Sequence, residues 1–191
     1  MRFYKFKDMQ ELNWKLLSSE YLFKDNWATL RVDTCQMPNG NIIKPYYVLE
    51  YPDWVNVVAI TDNNEVIIIQ QYRHAAGEVI LEVPGGCIDQ GENPEEAVRR
   101  ELLEETGYAF DNLELLSVLY ANPATGNNKT HCFLATGGKK VQEQALDGGE
   151  EIVVELVSIE KLKELLMTNQ FAQALHSSGI FYALVRLGYL S

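Results

Sequence analysis

Apolar positions along the chain mostly alternate with polar ones, as half-buried strands require, and in three places give way to helical spacing. Trp14–Phe23, Trp27–Gln36 and Ile42–Tyr51 read as strands. Between the last two, Pro38-Asn39-Gly40 predicts a hairpin, because Asn-Gly accepts the positive φ of a tight turn. Trp54–Thr61 and Val66–Tyr72 are further strands, separated by a turn at Asp62-Asn63-Asn64, and Val79–Val83 leads into Pro84-Gly85-Gly86. Later strands are predicted over Leu113–Tyr120, Lys129–Ala135 and Ile152–Val157, and two helices over Ile159–Met167 and Phe171–Leu187. Strands on both sides of a central helix, with helices at the end, indicate an α/β or α+β class.

The central helix has clear ends. Asn93 is a good N-cap, Pro94 suits the first helical position, Glu96 completes a capping box, and Gly107 is a stop signal. At 100° per residue Val98 and Leu102 mark the inward face. Glu105 projects close to that face and Glu101 lies on its flank, with Glu104 and Ala97 further round. Six acids against Arg99 and Arg100 between Glu92 and Tyr108 leave this cluster unneutralised from within. Partly buried carboxylates are costly unless they are paired or hold a metal. A hard divalent cation, Mg²⁺ or Mn²⁺, suits such oxygen ligands. A solvated acidic face is the alternative.

Composition narrows the picture. The 191 residues fit one domain, or one domain with an extension, and 47% hydrophobic content with ten Tyr, seven Phe and three Trp can build a core. The net charge of −11 argues against nucleic-acid backbones and anionic membranes as partners. Cys35, Cys87 and Cys132 have no metal-ligand or redox spacing and read as free thiols. With no signal-peptide pattern and no apolar run of membrane-spanning length, a cytoplasmic protein is expected. Of the histidines, His74 beside Arg73 could reach a phosphate, whereas His131 and His176 read as packing or surface.

The run Gly86, Glu92, Arg100, Glu101, Leu102, Glu104, Glu105 and Gly107 resembles the signature box of the Nudix hydrolases, which cleave nucleoside diphosphates linked to another group. Its one departure is Tyr108, where an aliphatic residue is usual. Gln71-Tyr72-Arg73, Leu81–Gly86 and Pro123, sixteen positions past Gly107, resemble the ADP-sugar pyrophosphatase branch. The resemblance implies a mixed-sheet α/β/α sandwich over 54–191, with 1–53 as an antiparallel β extension that serves dimerisation.

It also implies roles. Glu101 and Glu105 are the leading metal ligands, Glu104 is a third ligand or holds a bound water, and the Gly85 carbonyl adds one more. Arg100 and Glu92 are structural partners of the box. A loop acid serves as general base, with Glu150 favoured and Glu151 and Asp147 as alternatives. Trp27 and Arg73 stand where relatives stack adenine and contact the substrate. Relatives that bind ADP-ribose carry an aromatic–acid–arginine set near Tyr46–Glu50, and this chain lacks the arginine there. That weighs against ADP-ribose relative to other nucleoside diphosphate sugars, although ADP-ribose stays first choice. A homodimer is implied, along with cleavage to a nucleoside monophosphate and a sugar phosphate. The competing readings are a non-catalytic nucleotide-sugar sensor and a prenyl-diphosphate isomerase of the same fold. The first usually has an eroded box, and the second needs a cysteine context absent here.

Overall fold

A computed structural model describes residues 11–25 and 28–190. Its strands are β1 (Lys15–Lys24), β2 (Thr29–Gln36), β3 (Ile42–Glu50), β4 (Trp54–Thr61), β5 (Val66–Arg73) and β6 (Glu78–Glu82). Helix α1 (Pro94–Thr106) follows, then β7 (Tyr108–Ala109), β8 (Asn112–Tyr120), β9 (Lys129–Lys140) and β10 (Ile152–Val157). The helices α2 (Ile159–Met167) and α3 (Ala174–Arg186) come last. The chain divides into two compact units, residues 1–51 with 122–128, and residues 52–121 with 129–191.

In the first unit β1, β2 and β3 form an antiparallel sheet. The expected hairpin closes with the Met37 N–H donating to the Asn41 carbonyl and the Gly40 N–H to that of Met37. The connection carrying Pro123 docks on β3, where the Leu49 N–H donates to the Thr125 carbonyl and Tyr46 Oη to that of Ala124. Glu50 is not without an arginine. Arg31, on the neighbouring strand β2, bridges Glu50 and Asp33, so the partner missing from the local sequence arrives through strand pairing.

The second unit is a sandwich around the sheet β10-β5-β4-β9-β7, with β6 on β5 and β8 on β9. The β4–β9 pair is parallel. Central strands read as near-continuous apolar runs because both faces are covered. Val55, Val57 and Ala59 of β4, with Ile67, Phe133 and Ala135, pack on Ala97, Val98 and Leu102 of α1. Val58 and Ile60 point the other way, with Val66, Ile68 and Leu134, onto Leu162, Ile180, Ala183 and Leu184 of α2 and α3. Ala97, placed away from the core by the helical projection, is fully buried, because the sheet covers a wider arc of α1 than Val98 and Leu102 mark.

Two boundaries differ from expectation. β9 runs past the expected end at Ala135 to Lys140, since Gly137 and Gly138 let it pass beneath the Phe110 ring and pair with the short β7. α3 starts at Ala174, because the Gln173 side-chain oxygen accepts from the amides of Leu175 and His176 and caps it there, leaving Phe171 as a buried plug ahead of the helix. All three cysteines are free thiols. Among the described residues no helix is long and apolar enough to cross a membrane.

Candidate active site

Strands β4 and β5 pair only beside their turn, at Ala59–Ile67 and Ile60–Val66, and then diverge. The segment after β6 fills the gap. Val57 N–H donates to the Pro84 carbonyl (3.0 Å), Val55 N–H to that of Gly86 (2.9 Å), and Ile88 N–H to that of Asp53 (2.9 Å). This irregular strand explains the paired glycines. Gly85 has φ 155°, and a Cβ there would run into the Val55 carbonyl oxygen; one at Gly86 would run into the Glu101 carboxylate. Between two carbonyls engaged by β4, that of Gly85 receives no hydrogen bond from the described residues.

Helix α1 brings its carboxylates to this turn. The capping box is complete, with Asn93 accepting from the amides of Glu95 and Glu96 and Glu96 accepting from that of Asn93. Packing of Val98 and Leu102 then sets the rotation that turns Glu101 and Glu105 inward, to 9% and 3% exposure. Glu105 accepts from the Gly85 N–H at 2.9 Å and forms no ion pair among the described residues. Burial drives its pKa well above the usual carboxylate value, and the charges of Glu101 and Glu150 add to this, while the Gly85 amide and Arg73 oppose it. Burial likewise raises Glu101, opposed by Arg100 and reinforced by Glu104 and Glu150. Glu105 thus lies without a counter-charge of its own, while Glu101 relies on Arg100.

Arg100 is the local organiser. It donates to Glu92 from Nε and Nη2 (both 3.0 Å), to Glu101 and Glu104 from Nη1 (2.9 and 3.1 Å), and to the Cys87 carbonyl (2.9 Å). Its hydrogen bonds hold Glu92 below the ordinary carboxylate range. Glu101 and Glu104 each keep a second oxygen without a hydrogen bond among the described residues. No three His, Cys, Asp or Glu side chains among the described residues close on one point. The donor set is nevertheless that of a hard divalent cation: two buried carboxylates, a third on the same turn, and a backbone carbonyl without a donor. The residues fit such an ion in chemistry and in uncompensated charge.

The loop of residues 141–151 is clasped to the C-terminal end of α1. Val141 and Gln142 N–H groups donate to the Gly107 carbonyl, Ala145 N–H to that of Glu104, and Gln144 Nε2 to those of Glu105 (2.6 Å) and Ile152 (3.2 Å). Within it, Glu150 accepts from the Asp147 N–H at 3.2 Å, and its charge bears on both Glu101 and Glu105. Glu151 is exposed. Arg73, at the end of β5, also bears on Glu105. The structure therefore gathers Gly85, Glu101, Glu104, Glu105, Arg73 and Glu150 at one end of the sandwich. Trp27 lies outside the described residues.

Sequence reasoning passed over three residues here. Glu82, the lone acid near the end of an apolar strand, is 1% exposed and takes Arg73 in a two-pronged ion pair. His176, expected as packing or surface, is buried and accepts the Val83 N–H at Nδ1 (3.1 Å), and burial lowers its pKa to about 4. Gln144 had no signal beyond its place in the acidic loop. Of the other histidines, His131 pairs with Asp53 (3.1 Å) and His74 is exposed beside Tyr72.

Comparison with known proteins bears on the same segments. Residues 51–177 match the profile of the NUDIX domain, and residues 14–49 that of the nucleoside diphosphate sugar hydrolase N-terminal domain. An ADP-ribose pyrophosphatase of Bacillus subtilis is 31% identical over 91% of this chain and 94% of its own. A methanol dehydrogenase activator of Bacillus methanolicus is 33% identical over 76% of this chain and 77% of its own. A GDP-mannose pyrophosphatase of Yersinia enterocolitica is 31% identical over 75% and 79%. A crystal structure of an ADP compounds hydrolase superposes with a TM-score of 0.82 at 24% identity, covering 95% of this chain and all of that one. With its signature box folded around two buried glutamates, the chain belongs to the Nudix hydrolase family.

Proposed function

We propose that this enzyme hydrolyses the diphosphate bond of a nucleoside diphosphate sugar, ADP-ribose first and ADP-glucose-like or GDP-sugar compounds next, to a nucleoside monophosphate and a sugar phosphate. One observation carries the reading: Glu105 is a buried carboxylate with no ion pair among the described residues, Glu101 shares Arg100 with Glu92 and Glu104, and the charge of the half-exposed Arg73 bears on Glu105. Such an arrangement favours a ligand that brings cations and phosphates together. Pyrophosphatase relatives acting on ADP-ribose and GDP-mannose support the substrate class. Arg31, on the strand next to Glu50, supports keeping ADP-ribose first.

Nudix hydrolases generally need a divalent metal. Mg²⁺ or Mn²⁺ would be held by Glu101, Glu104, Glu105 and the Gly85 carbonyl, supplying Lewis-acid charge and lowering the pKa of water. Arg73 binds a substrate phosphate through its free N–H groups, a geometry guanidinium matches well. Glu150, or Glu104, holds the attacking water and takes its proton. Trp27 stacks on the base. Residues 1–53 form the extension through which two chains pair, and no nucleic acid is a partner of so acidic a protein. Cytoplasmic residence accords with the three free thiols.

A kinetic panel tests the substrate: ADP-ribose, sugar nucleotides, dinucleotides and nucleoside triphosphates, each with and without Mg²⁺ or Mn²⁺. Sugar nucleotides should lead, and only with metal. A nucleoside triphosphate ahead by tenfold in kcat/KM, about 1.4 kcal/mol in the transition state, would overturn the sugar-nucleotide reading.

A further inference from the structure

We propose that Glu82 is a positioning residue for substrate recognition, fixing the Arg73 guanidinium so that its unused N–H groups face the substrate diphosphate. The inference rests on Arg73 being a phosphate ligand, as proposed above.

Glu82 ends β6 with its side chain 1% exposed, while that of Arg73 is 43% exposed. A buried carboxylate has a large desolvation cost and requires a well-made partner. Arg73 supplies it, with Nε at 3.2 Å from both oxygens and Nη2 at 2.7 Å from Oε2. The pairing is not the one that strand register offers first. Arg73 stands opposite Glu78, an exposed acid, whereas Glu82 stands opposite Ile69. Arg73 forms no ion pair with Glu78 and reaches along the strand to the buried acid instead. A surface bridge to Glu78 would leave a long side chain free to swing. The bridge to Glu82 anchors it from beneath.

His176, the other basic side chain close enough for its charge state to matter, does not compete. Its Nδ1 accepts the Val83 N–H, and burial lowers its pKa to about 4, so it is neutral at pH 7. Glu82 therefore depends on Arg73 for its counter-charge. Glu82 engages two of the five guanidinium N–H groups, and three remain for a ligand. The Arg73 side chain is 43% exposed, and its charge bears on Glu105, a carboxylate of the site. A bidentate anchor converts a rotamer-rich side chain into a fixed fork, so less order is lost when a phosphate docks.

The experiment is a double-mutant cycle in the full-length protein with Mg²⁺, on the best substrate of the panel. It compares Glu82→Gln, Arg73→Ala and the double variant for kcat, KM and Tm. Glu82→Gln keeps the volume and removes the anchor's charge. It should raise KM by about tenfold or more, with a smaller change in kcat. The same change in the Arg73→Ala background should alter kcat/KM by less than about twofold, whatever it does to Tm, because the residue it acts through is gone. Glu82→Asp, which retains charge with a shorter reach, should fall between wild type and Glu82→Gln, and carries the cycle if Glu82→Gln does not fold. Penalties that multiply in the double variant would overturn the proposal, as would an impaired Arg73→Ala beside an unaffected Glu82→Gln. An unimpaired Arg73→Ala would remove the phosphate-ligand reading itself, and this inference with it.

Discussion

Burial penalises a charge on Glu105, and that makes its substitution informative. A carboxylate whose folded pKa is raised contributes stability below its unfolded pKa and loses it as pH rises through the folded value. Above its unfolded pKa the group therefore weighs against the metal-free fold. Glu105→Gln keeps the oxygen that accepts from Gly85 and removes that penalty, so metal-free Tm should hold or rise. Turnover should fall by two or more orders of magnitude if Glu105 is the metal ligand proposed above. Glu101→Gln should lose rate alike. Calorimetry and steady-state kinetics on both variants check this, and near-wild-type rates would exclude the assignment. The helical projection already set Glu105 beside the buried stripe. It could not supply Glu82, because alternation in a strand of five residues does not reveal which polar position lies under a neighbour's guanidinium.

Among the elements, α3 has a task beyond covering the sheet. Through His176 it accepts the Val83 N–H at the head of the glycine turn, which joins the last helix to the turn carrying Gly85. That acceptor works only while the ring is neutral. With its folded pKa depressed to about 4 from 6.5, the stability it contributes is complete above pH 6.5 and is lost as pH falls toward 4. The loss should reach roughly 3 kcal/mol. His176→Asn offers an oxygen near the Nδ1 position and does not titrate, so urea melts between pH 7 and 4 should show a flatter slope for the variant. An unchanged slope would sever the link. Most elements were legible within a residue or two, since periodicity, turn dipeptides and caps are local signals. Of what escaped, the short β7 and the extension of β9 depend on partners distant in sequence, Lys139 and Lys140 and the Phe110 ring, while the start of α3 is set by Gln173, an N-cap that falls inside an apolar run.

At the scale of the molecule, every one of the ten residues of β1 is exposed, among them Leu16, Leu17, Tyr21, Leu22 and Phe23. A long apolar edge strand left open invites association. Light scattering across micromolar concentrations should give a homodimer, and a monomer throughout would exclude the dimer. The clasp between the 141–151 loop and α1 acts over a different range. Three of its five bonds run from backbone amides and the other two reach backbone carbonyls through one glutamine, so they read where the chain passes and barely what it spells. The stretch from Ala145 to Glu150 is thus a tether of set length. Over generations its letters are free to drift, Gln144 aside, while a gained or lost residue would shift Glu150 relative to the carboxylates of α1.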